Sequence, residues 1–195
     1  SVDSGKVDIS VNNLDTTEER LEKYNMSVPY KYSIGGMIVR EDGSSGIEAA
    51  DLSDWAGKKA GGGAGTQYMK IAEKLGAEPV IYDNVTNDVY LRDVSTGRTD
   101  FIPNDYYTQV IAVKYITAQY PDIKVKMGTA KYNPTEQAIV MSKKDDTLKK
   151  KLDQVIEEMK EDGTLKAISE KYYAGQDLTV PEKGVEDLPV IDTSN

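Results

Sequence analysis

The sequence predicts an α/β fold, because patterns typical of strands and of helices alternate along the chain. Runs such as Met37–Val39 and Ala138–Met141 are apolar in the manner of short buried strands. The segment from Leu148 to Met159 instead places apolar residues at the three- and four-residue spacing of one helix face. The alternation also predicts mostly parallel strand pairing.

Three strands and two helices are expected in the first half of the chain. The strands are predicted over Val7–Val11, Met37–Val39 and Lys59–Gly63, with Asn12 and Asn13 ending the first. A short helix is predicted from Thr16 to about Lys23, because Thr16 and Glu19 have the spacing of a capping box. Thr66 is expected to cap a second helix, which Gly76 ends. Between them, Ala50–Gly57 is predicted as a short helix or turn that carries Trp55.

The second half repeats this alternation. Strands are predicted over Pro79–Tyr82, Asp100–Pro103, Ile123–Val125 and Ala138–Met141. Helices are predicted over Asn87–Ser95 and from Asp105 or Tyr106 to about Ala118. A further helix carries a core-facing apolar stripe from Leu148 to Met159. Gly163 breaks this stripe, which then resumes as far as Tyr172. The residues after Gly175 are expected to form an extended tail.

Composition excludes several classes of function. The chain of 195 residues has 24 Lys and Arg against 33 Asp and Glu, so its net charge of −9 disfavours nucleic acid or an anionic membrane as main partner. It contains no His and no Cys, which excludes the common zinc sites, disulfides and His-dependent catalytic triads. The glycine-rich segment Gly61–Thr66 lacks the residues of a nucleotide-binding loop. We therefore expect no metal and no cofactor.

Three polar segments follow predicted strands and would suit a free amino acid. Arg20 offers a guanidinium, Gly65–Gln67 offers backbone N–H groups at a helix start, and Asp105 offers a carboxylate. The carboxyl ends of strands are where ligands bind in open α/β sheets. Taken singly, Arg20 reads as a solvated helix charge, and Thr66 and Asp105 as ordinary helix caps.

The ordered set of motifs resembles the polar amino acid family of ABC-transporter substrate-binding proteins, solute-binding protein family 3. The resemblance runs to about Gly175 and is carried by Gly5–Asp8, Thr17–Arg20, Ser27–Tyr30, Asp51-Leu52, Gly57–Lys59, Gly65-Thr66, Gly97–Asp100, Asp105 and Asp162–Thr164. The segments Asn12–Asp15, Gly97–Asp100 and Asn104–Tyr107 look most like the L-cystine-binding branch of Gram-positive bacteria.

The resemblance implies a periplasmic-binding-protein-like (type II) fold of two lobes joined by a hinge. Lobe 1 would comprise residues 1–30 and 133–175, lobe 2 residues 35–131, and residues 176–195 a C-terminal extension. The first residues match the end of the family's second helix, so lobe 1 is expected to be incomplete at its N-terminus. An incomplete lobe exposes apolar surface and a sheet edge, and we expect a dimer or disorder there.

The resemblance also implies roles for individual residues. Arg20 would bind the ligand α-carboxylate, together with Thr66, Gly65 and Gln67, and Asp105 would bind the α-ammonium. Asn13 and Leu14 would offer main-chain carbonyls. Asp15 stands where many relatives have Ser or Thr, and it would either meet a second ammonium, such as that of cystine, or face solvent.

The function expected from the resemblance is that of a non-enzymatic, extracytoplasmic protein that delivers a free amino acid to a membrane permease. It would be a cell-surface lipoprotein of a Gram-positive bacterium, or periplasmic, made with a signal sequence. One alternative is an enzyme on the same scaffold, similar to cyclohexadienyl dehydratases, with an acid such as Glu136. A second alternative is the ligand-sensing domain of a receptor.

Overall fold

The computed structural model describes residues 2–194, and the chain forms two compact units. Unit 1 comprises the residues up to Ser33 together with Pro134–Val185. Unit 2 comprises Ile34–Asn133 and the residues from Glu186 onward. The elements in chain order are β1 (Ile9–Asp15), α1 (Glu18–Lys23), β2 (Tyr24–Met26), β3 (Lys31–Arg40), β4 (Lys59–Gly63), α2 (Gln67–Lys74), β5 (Glu78–Tyr82), α3 (Asn87–Thr96), β6 (Phe101–Asp105), α4 (Tyr106–Gln119), β7 (Val125–Met127), β8 (Tyr132–Ser142), α5 (Asp146–Glu161) and α6 (Thr164–Tyr172).

In unit 1, β1 and β2 both pair with β8 in the antiparallel direction. Buried Met26, Ala138 and Val140 form the apolar centre of this sheet, with Leu14 and Tyr24 packed against them. Of the predicted apolar stripe on α5, Ile156 is buried, whereas Val155 is 40% exposed. Leu148, Leu152 and Met159 are partly buried. The prediction that the whole stripe belongs to the core is therefore wrong, because Val155 lies on the side of the stripe that faces solvent.

Unit 2 is built on a sheet in which β5, β4, β6 and β3 are successive neighbours. The strand β4 is parallel to both β5 and β6, and α2 makes the crossover from β4 to β5. In contrast, β3 pairs antiparallel with β6 and with β7. The expectation of mostly parallel pairing is wrong, since a crossover helix enforces parallel direction only between consecutive strands that are neighbours, and β3 and β6 are not consecutive.

Apolar side chains cover both faces of the unit 2 sheet. On one face, Met37, Phe101 and Trp55 pack with Met69 and Ile71 from α2. On the other face, a second cluster is packed by α3, α4 and the strands; its buried members are Ile38, Leu91, Val94, Ile102, Ile123 and Val125. The two clusters fix the strands, and with them the loops that follow β4 and β6.

Some element boundaries differ from those predicted. The first strand continues past Asn13 to Asp15, because Asn13 adopts a positive φ of 48° within an irregularity of the pairing rather than ending the strand. Thr17, not Thr16, caps α1: its side chain accepts a hydrogen bond from the Arg20 N–H. The strand expected at Ile123–Val125 is Val125–Met127.

Candidate functional site

In unit 1, the guanidinium of Arg20 lies against the end of β1. Its Nη1 donates to the backbone oxygen of Asp15 at 2.7 Å, and its backbone N–H donates to Thr17 Oγ1 at 3.2 Å. One helix cap and one side-chain hydrogen bond therefore hold Arg20 beside the loop that joins β1 to α1. A guanidinium carries five N–H donors, so this contact leaves donors for a carboxylate.

A polar network that the sequence did not indicate supports the same loop. Gln137 Nε2 donates to Asp15 Oδ1 at 3.1 Å, and Lys31 Nζ donates to Gln137 Oε1 at 2.9 Å. Lys31 is only 4% exposed, and its ammonium lies 5.0 Å from the centre of the Tyr173 ring. No spacing rule links residues so far apart in the sequence, which is why Lys31 and Gln137 were missed.

Asn13 and Leu14 lie on the part of β1 that precedes Asp15. Asn13 exchanges hydrogen bonds with the Tyr30 hydroxyl, which accepts from the Asn13 N–H at 3.1 Å and donates to Asn13 Oδ1 at 3.2 Å. Burial raises the pKa of Tyr30, so this phenol keeps its proton and can donate. Leu14 packs against the apolar centre of unit 1. Both residues are thus fixed next to Asp15.

In unit 2, the predicted anion-binding segment forms the turn between β4 and α2. Gly65 has a φ of +69°, a conformation that favours glycine, and Thr66 Oγ1 accepts from the Met69 N–H at 3.3 Å as the cap of α2. The amide of Gln67 donates to Thr193 Oγ1. The first turn of a helix presents N–H groups that its own backbone does not use, and its dipole favours an anion.

Asp105 is the last residue of β6 and the cap of α4. Its Oδ1 accepts from the Thr108 N–H at 2.8 Å, and its side chain is largely buried. Because β4 and β6 are parallel neighbours, both strands end at the same edge of the sheet, where Asp105 is the last residue of β6 and Gly65–Gln67 follows β4. Unit 2 therefore places an anion-binding helix start and a carboxylate at one edge.

Tyr132 packs beneath this edge and supports it. Its hydroxyl donates to the Gly36 oxygen at 2.9 Å, and its ring makes an edge contact with Tyr68. Burial holds the pKa of Tyr132 well above its usual range, with smaller contributions from nearby Tyr68 and Asp105. A side chain at Gly35 would have its Cβ 2.5 Å from the Tyr132 ring, so glycine is required there.

Other residues of the quoted motifs have structural roles. Asp100 binds Arg40 Nη2 through Oδ1 at 2.8 Å and accepts from the Lys59 N–H at 2.9 Å. Glu136, the acid that the enzyme alternative requires, is exposed. Within residues 2–194 there is no cluster of three or more acidic side chains placed to hold a metal, and none of the helices is long and apolar enough to cross a membrane.

Residues 1–175 match the model of the bacterial extracellular solute-binding proteins, family 3. This chain belongs to that family. The match confirms the family predicted from the sequence. Members of this family are solute-binding proteins of ABC transporters and not enzymes. Similar proteins include YckB of Bacillus subtilis strain 168, a probable ABC transporter extracellular-binding protein, at 46% identity over 180 residues. They also include the L-cystine-binding protein TcyJ of Escherichia coli K12, at 32% identity over 181 residues.

Solved structures of family members confirm the mixed α/β fold. A crystal structure of YckB from Bacillus subtilis matches with a TM-score of 0.82 at 44% identity, covering 98% of this chain and 73% of that one. An ancestral arginine-binding protein bound to arginine matches with a TM-score of 0.70 at 28% identity, covering 88% and 74%. The alignments with YckB and with TcyJ each cover 92% of this chain. In the other direction, this chain spans 61% of the length of YckB and 64% of the length of TcyJ.

Proposed function

We propose that this protein is the extracytoplasmic substrate-binding component of an ABC importer and that it binds a free amino acid. It acts as a binding protein and not as an enzyme, and it delivers its ligand to a membrane permease. Units 1 and 2 act as its two lobes. Each unit carries residues suited to the ligand, namely Arg20 in unit 1 and Thr66 and Asp105 in unit 2.

The observation that carries the proposal is the edge of the unit 2 sheet where β4 and β6 end. There the start of α2 at Thr66 is suited to a carboxylate, and the carboxylate of Asp105 is suited to an ammonium. A zwitterionic α-amino acid carries both groups on one carbon. A carboxylate has room for several hydrogen bonds, so the capping bond from Thr108 is compatible with an ammonium contact.

Unit 1 supplies the complementary group for the ligand carboxylate. Arg20 is held by the Asp15 oxygen, and the network of Gln137 and Lys31 in turn fixes Asp15. A guanidinium with restricted rotamers loses less entropy when it binds a carboxylate through two parallel hydrogen bonds. Asn13 and Leu14 contribute main-chain carbonyls next to Asp15.

The relatives indicate which amino acids to test first. TcyJ is named as an L-cystine-binding protein, and related structures carry arginine or glutamine. Cystine, arginine and glutamine share the α-amino and α-carboxylate groups and differ in the side chain. The proposed contacts of Arg20, Thr66 and Asp105 serve all three, so these residues define binding of the class rather than the choice within it.

Substitution of Arg20 tests the carboxylate contact. Arg20→Met should weaken amino acid binding by about 2–5 kcal/mol, because it leaves a buried carboxylate without its partner. Arg98→Met is the matched control, since Arg98 is exposed and makes a long ion pair with Asp93 at 3.6 Å. Calorimetry should show a much higher Kd for the first variant and no change for the second. Equal Kd values for both variants would refute the role of Arg20.

Substitution of Asp105 tests the ammonium contact. Asp105→Asn keeps a good helix cap but removes the charge. The variant should lose about tenfold or more of its affinity for a free amino acid and little of its affinity for the N-acetylated analogue, because only the free ligand loses a counter-charge. Equal losses for both ligands would mean that Asp105 serves only as a cap.

The site of action and the assembly state belong to the same proposal. We place the protein outside the cytoplasm, either as a lipid-anchored protein on the surface of a Gram-positive cell or in a periplasm. Exposed apolar side chains of unit 1, such as Val7, Val11 and Tyr172, would suit a dimer formed through this unit. Light scattering over a range of protein concentrations tests the dimer. A constant monomer mass would exclude it.

A further inference from the structure

Residues 188–194, which we call the C-terminal strap, lie along one side of unit 2. The strap forms neither a helix nor a strand, but from residue 189 onward its burial alternates. Every second residue is partly buried; these are Pro189, Ile191 and Thr193. The residues between them are exposed. Such alternation is typical of an extended chain with one side against a surface, so the strap is docked on unit 2.

Asn133 anchors the strap in the way that a neighbouring strand would. Its Nδ2 donates to the Ile191 oxygen at 2.9 Å, and its Oδ1 accepts from the Ile191 N–H at 2.8 Å. Its backbone N–H donates to the Pro189 oxygen at 2.9 Å. The Ile191 side chain packs against the apolar cluster that contains Trp55. Backbone hydrogen bonds and an apolar contact therefore fix the middle of the strap.

The end of the strap contacts α2 at two positions. Gln67 Nε2 donates to Thr193 Oγ1, and Lys74 Nζ donates to the backbone oxygen of Asp192. Gln67 and Lys74 are the first and last residues of α2. They are about two turns apart, so both lie on the same face of the helix. The strap therefore covers this face and reaches the start of α2.

Thr193 contacts the helix start that is proposed to bind the ligand carboxylate. Gln67 is the first residue of that helix. A Gln amide nitrogen carries two N–H donors, so the bond to Thr193 leaves one donor for a ligand. A side chain that is already held in one rotamer loses less conformational entropy when it binds. The strap thus supplies a group that can prepare Gln67 for the carboxylate.

The bond between Gln67 and Thr193 is not needed to hold the strap in place. Asn133 and Ile191 already anchor it, and this bond joins two side chains at the surface. Such a bond adds little net stability, because both groups bind water in its absence. Its main consequence is that it selects one orientation of the Gln67 amide.

We infer that Thr193 is a positioning residue for ligand binding, which acts by orienting the Gln67 amide for the ligand carboxylate. The inference rests on the proposed function, because it assumes that the start of α2 binds this carboxylate. It adds a residue of the C-terminal strap to the candidate site. It also predicts that changes in the strap alter ligand affinity.

Thr193→Val tests this role, because it keeps the shape of the side chain and removes the acceptor. The probe is whichever of L-arginine, L-glutamine and L-cystine binds the wild type most tightly. Calorimetry should show an affinity about three- to tenfold lower. Thr193→Ser should restore it. Ser194→Ala is the matched control, since the Ser194 hydroxyl donates to Asp192 Oδ1 within the strap, and it should change nothing. An unchanged affinity in Thr193→Val would overturn the inference.

The α-carboxamide of the same amino acid distinguishes positioning from general support of unit 2. This analogue lacks the charged carboxylate, so Thr193→Val should weaken binding of the free acid more than binding of the carboxamide. In a Gln67→Ala background, Thr193→Val should have no further effect, because the contact is already absent. Equal losses for the two ligands, or a full loss in the Gln67→Ala background, would contradict the role of Thr193.

Hydrogen exchange checks the docking of the strap without any ligand. The Ile191 N–H should be protected in the wild type and should exchange faster in Asn133→Ala, which removes its acceptor. An unprotected Ile191 N–H in the wild type would overturn the inference. Failure of all three amino acids to bind the wild type would overturn the proposed function and this role with it. Loss of affinity in Arg20→Met but not in Thr193→Val would overturn the inference alone.

Discussion

The two units of this protein both combine strands and helices but differ in how many of their large apolar side chains are buried. Unit 2 has one apolar cluster on each face of its sheet, including Trp55, Phe101 and Val94 at 0% exposure. Unit 1 has a small centre around Met26, and it exposes large apolar side chains; they are Val7, Ile9, Val11, Leu21, Val155, Ile168, Tyr172 and Val180.

Unit 1 relies more on polar contacts for its order. Lys31 and Gln137 join β3 to β8 and reach Asp15, while Asp153 of α5 accepts from the Val28 N–H at 2.7 Å and pairs with Lys149. Net stabilisation per hydrogen bond is about 1 kcal/mol, less than that of a fully buried large side chain. From this comparison we expect unit 2 to be the more stable of the two units and the unit that carries Arg20 to be the less stable one.

The largest effect is expected from the core of unit 2. Phe101→Ala should lower the free energy of unfolding by about 3–5 kcal/mol, because the ring is fully buried and packs on Trp55 at 4.7 Å between centroids. Urea unfolding followed by tryptophan fluorescence reports on this unit, since Trp55 is the single tryptophan. Ile81→Ala, at a half-exposed position of β5, is the control. A loss below about 1 kcal/mol for Phe101→Ala would contradict the expectation that unit 2 is the more stable unit.

Acid should weaken unit 2 through Asp100. Burial alone would raise the pKa of this carboxyl, but hydrogen bonds from the Lys59 N–H and the Arg40 guanidinium outweigh it and lower the pKa. A lowered pKa gives stability that is present above the unfolded value of about 3.9 and is lost as pH falls through the folded pKa. Asp100→Asn should lower the free energy of unfolding by about 1.5–3 kcal/mol at pH 7. It should also reduce the loss of stability that the wild type shows as the pH falls.

The control for Asp100 is an ion pair on the surface of the same unit. Asp122 pairs with Arg92, but both side chains are largely exposed to solvent, and such pairs add little to stability. Asp122→Asn should leave the acid dependence of the tryptophan signal unchanged. If the wild type and Asp100→Asn lost the same stability as the pH falls, Asp100 would not contribute to the acid dependence of unit 2.

The sequence predicted those parts of the fold that local chemistry determines. The strand Lys59–Gly63 and the Thr66 cap of α2 were predicted at the observed residues. Glycines, a cap residue and an apolar helix face can each be recognised from residues a few positions apart in the sequence. The antiparallel pairing of β3 with β6 was not predicted, since it joins segments about 65 residues apart. The polar segments that follow predicted strands indicated Arg20 and Asp105 together, and the family resemblance gave each of them a role.

Two supporting residues of the candidate site, Lys31 and Gln137, lay beyond sequence reasoning for the same reason. They contact each other only because β3 and β8 bring them together. Burial decides the role of each, and burial is set by distant neighbours. The apolar stripe of α5 shows the converse case, because its spacing is helical whether or not a neighbour covers it.

A smaller effect is expected in the core of unit 1. Ile156→Val should cost about 0.5–1.5 kcal/mol, because it removes one buried methylene from the buried residue of α5. Hydrogen exchange of the α5 amides reports this locally, since unit 1 should open at a lower free energy than unit 2. Amides of α5 that exchange as slowly as those of β6 would show that the two units are equally stable.

The smallest effect is expected one residue earlier on the same helix. Val155→Thr keeps the shape of the side chain and adds a hydroxyl, and at a position 40% exposed it should change the free energy of unfolding by no more than about 0.5 kcal/mol. The neighbouring change Ile156→Thr should cost far more, because it buries the hydroxyl. If Val155→Thr lowered the free energy of unfolding as much as Ile156→Thr, the Val155 side chain would have to be covered in solution. Sedimentation of the two variants at rising concentration would then show whether a second copy of the chain covers it.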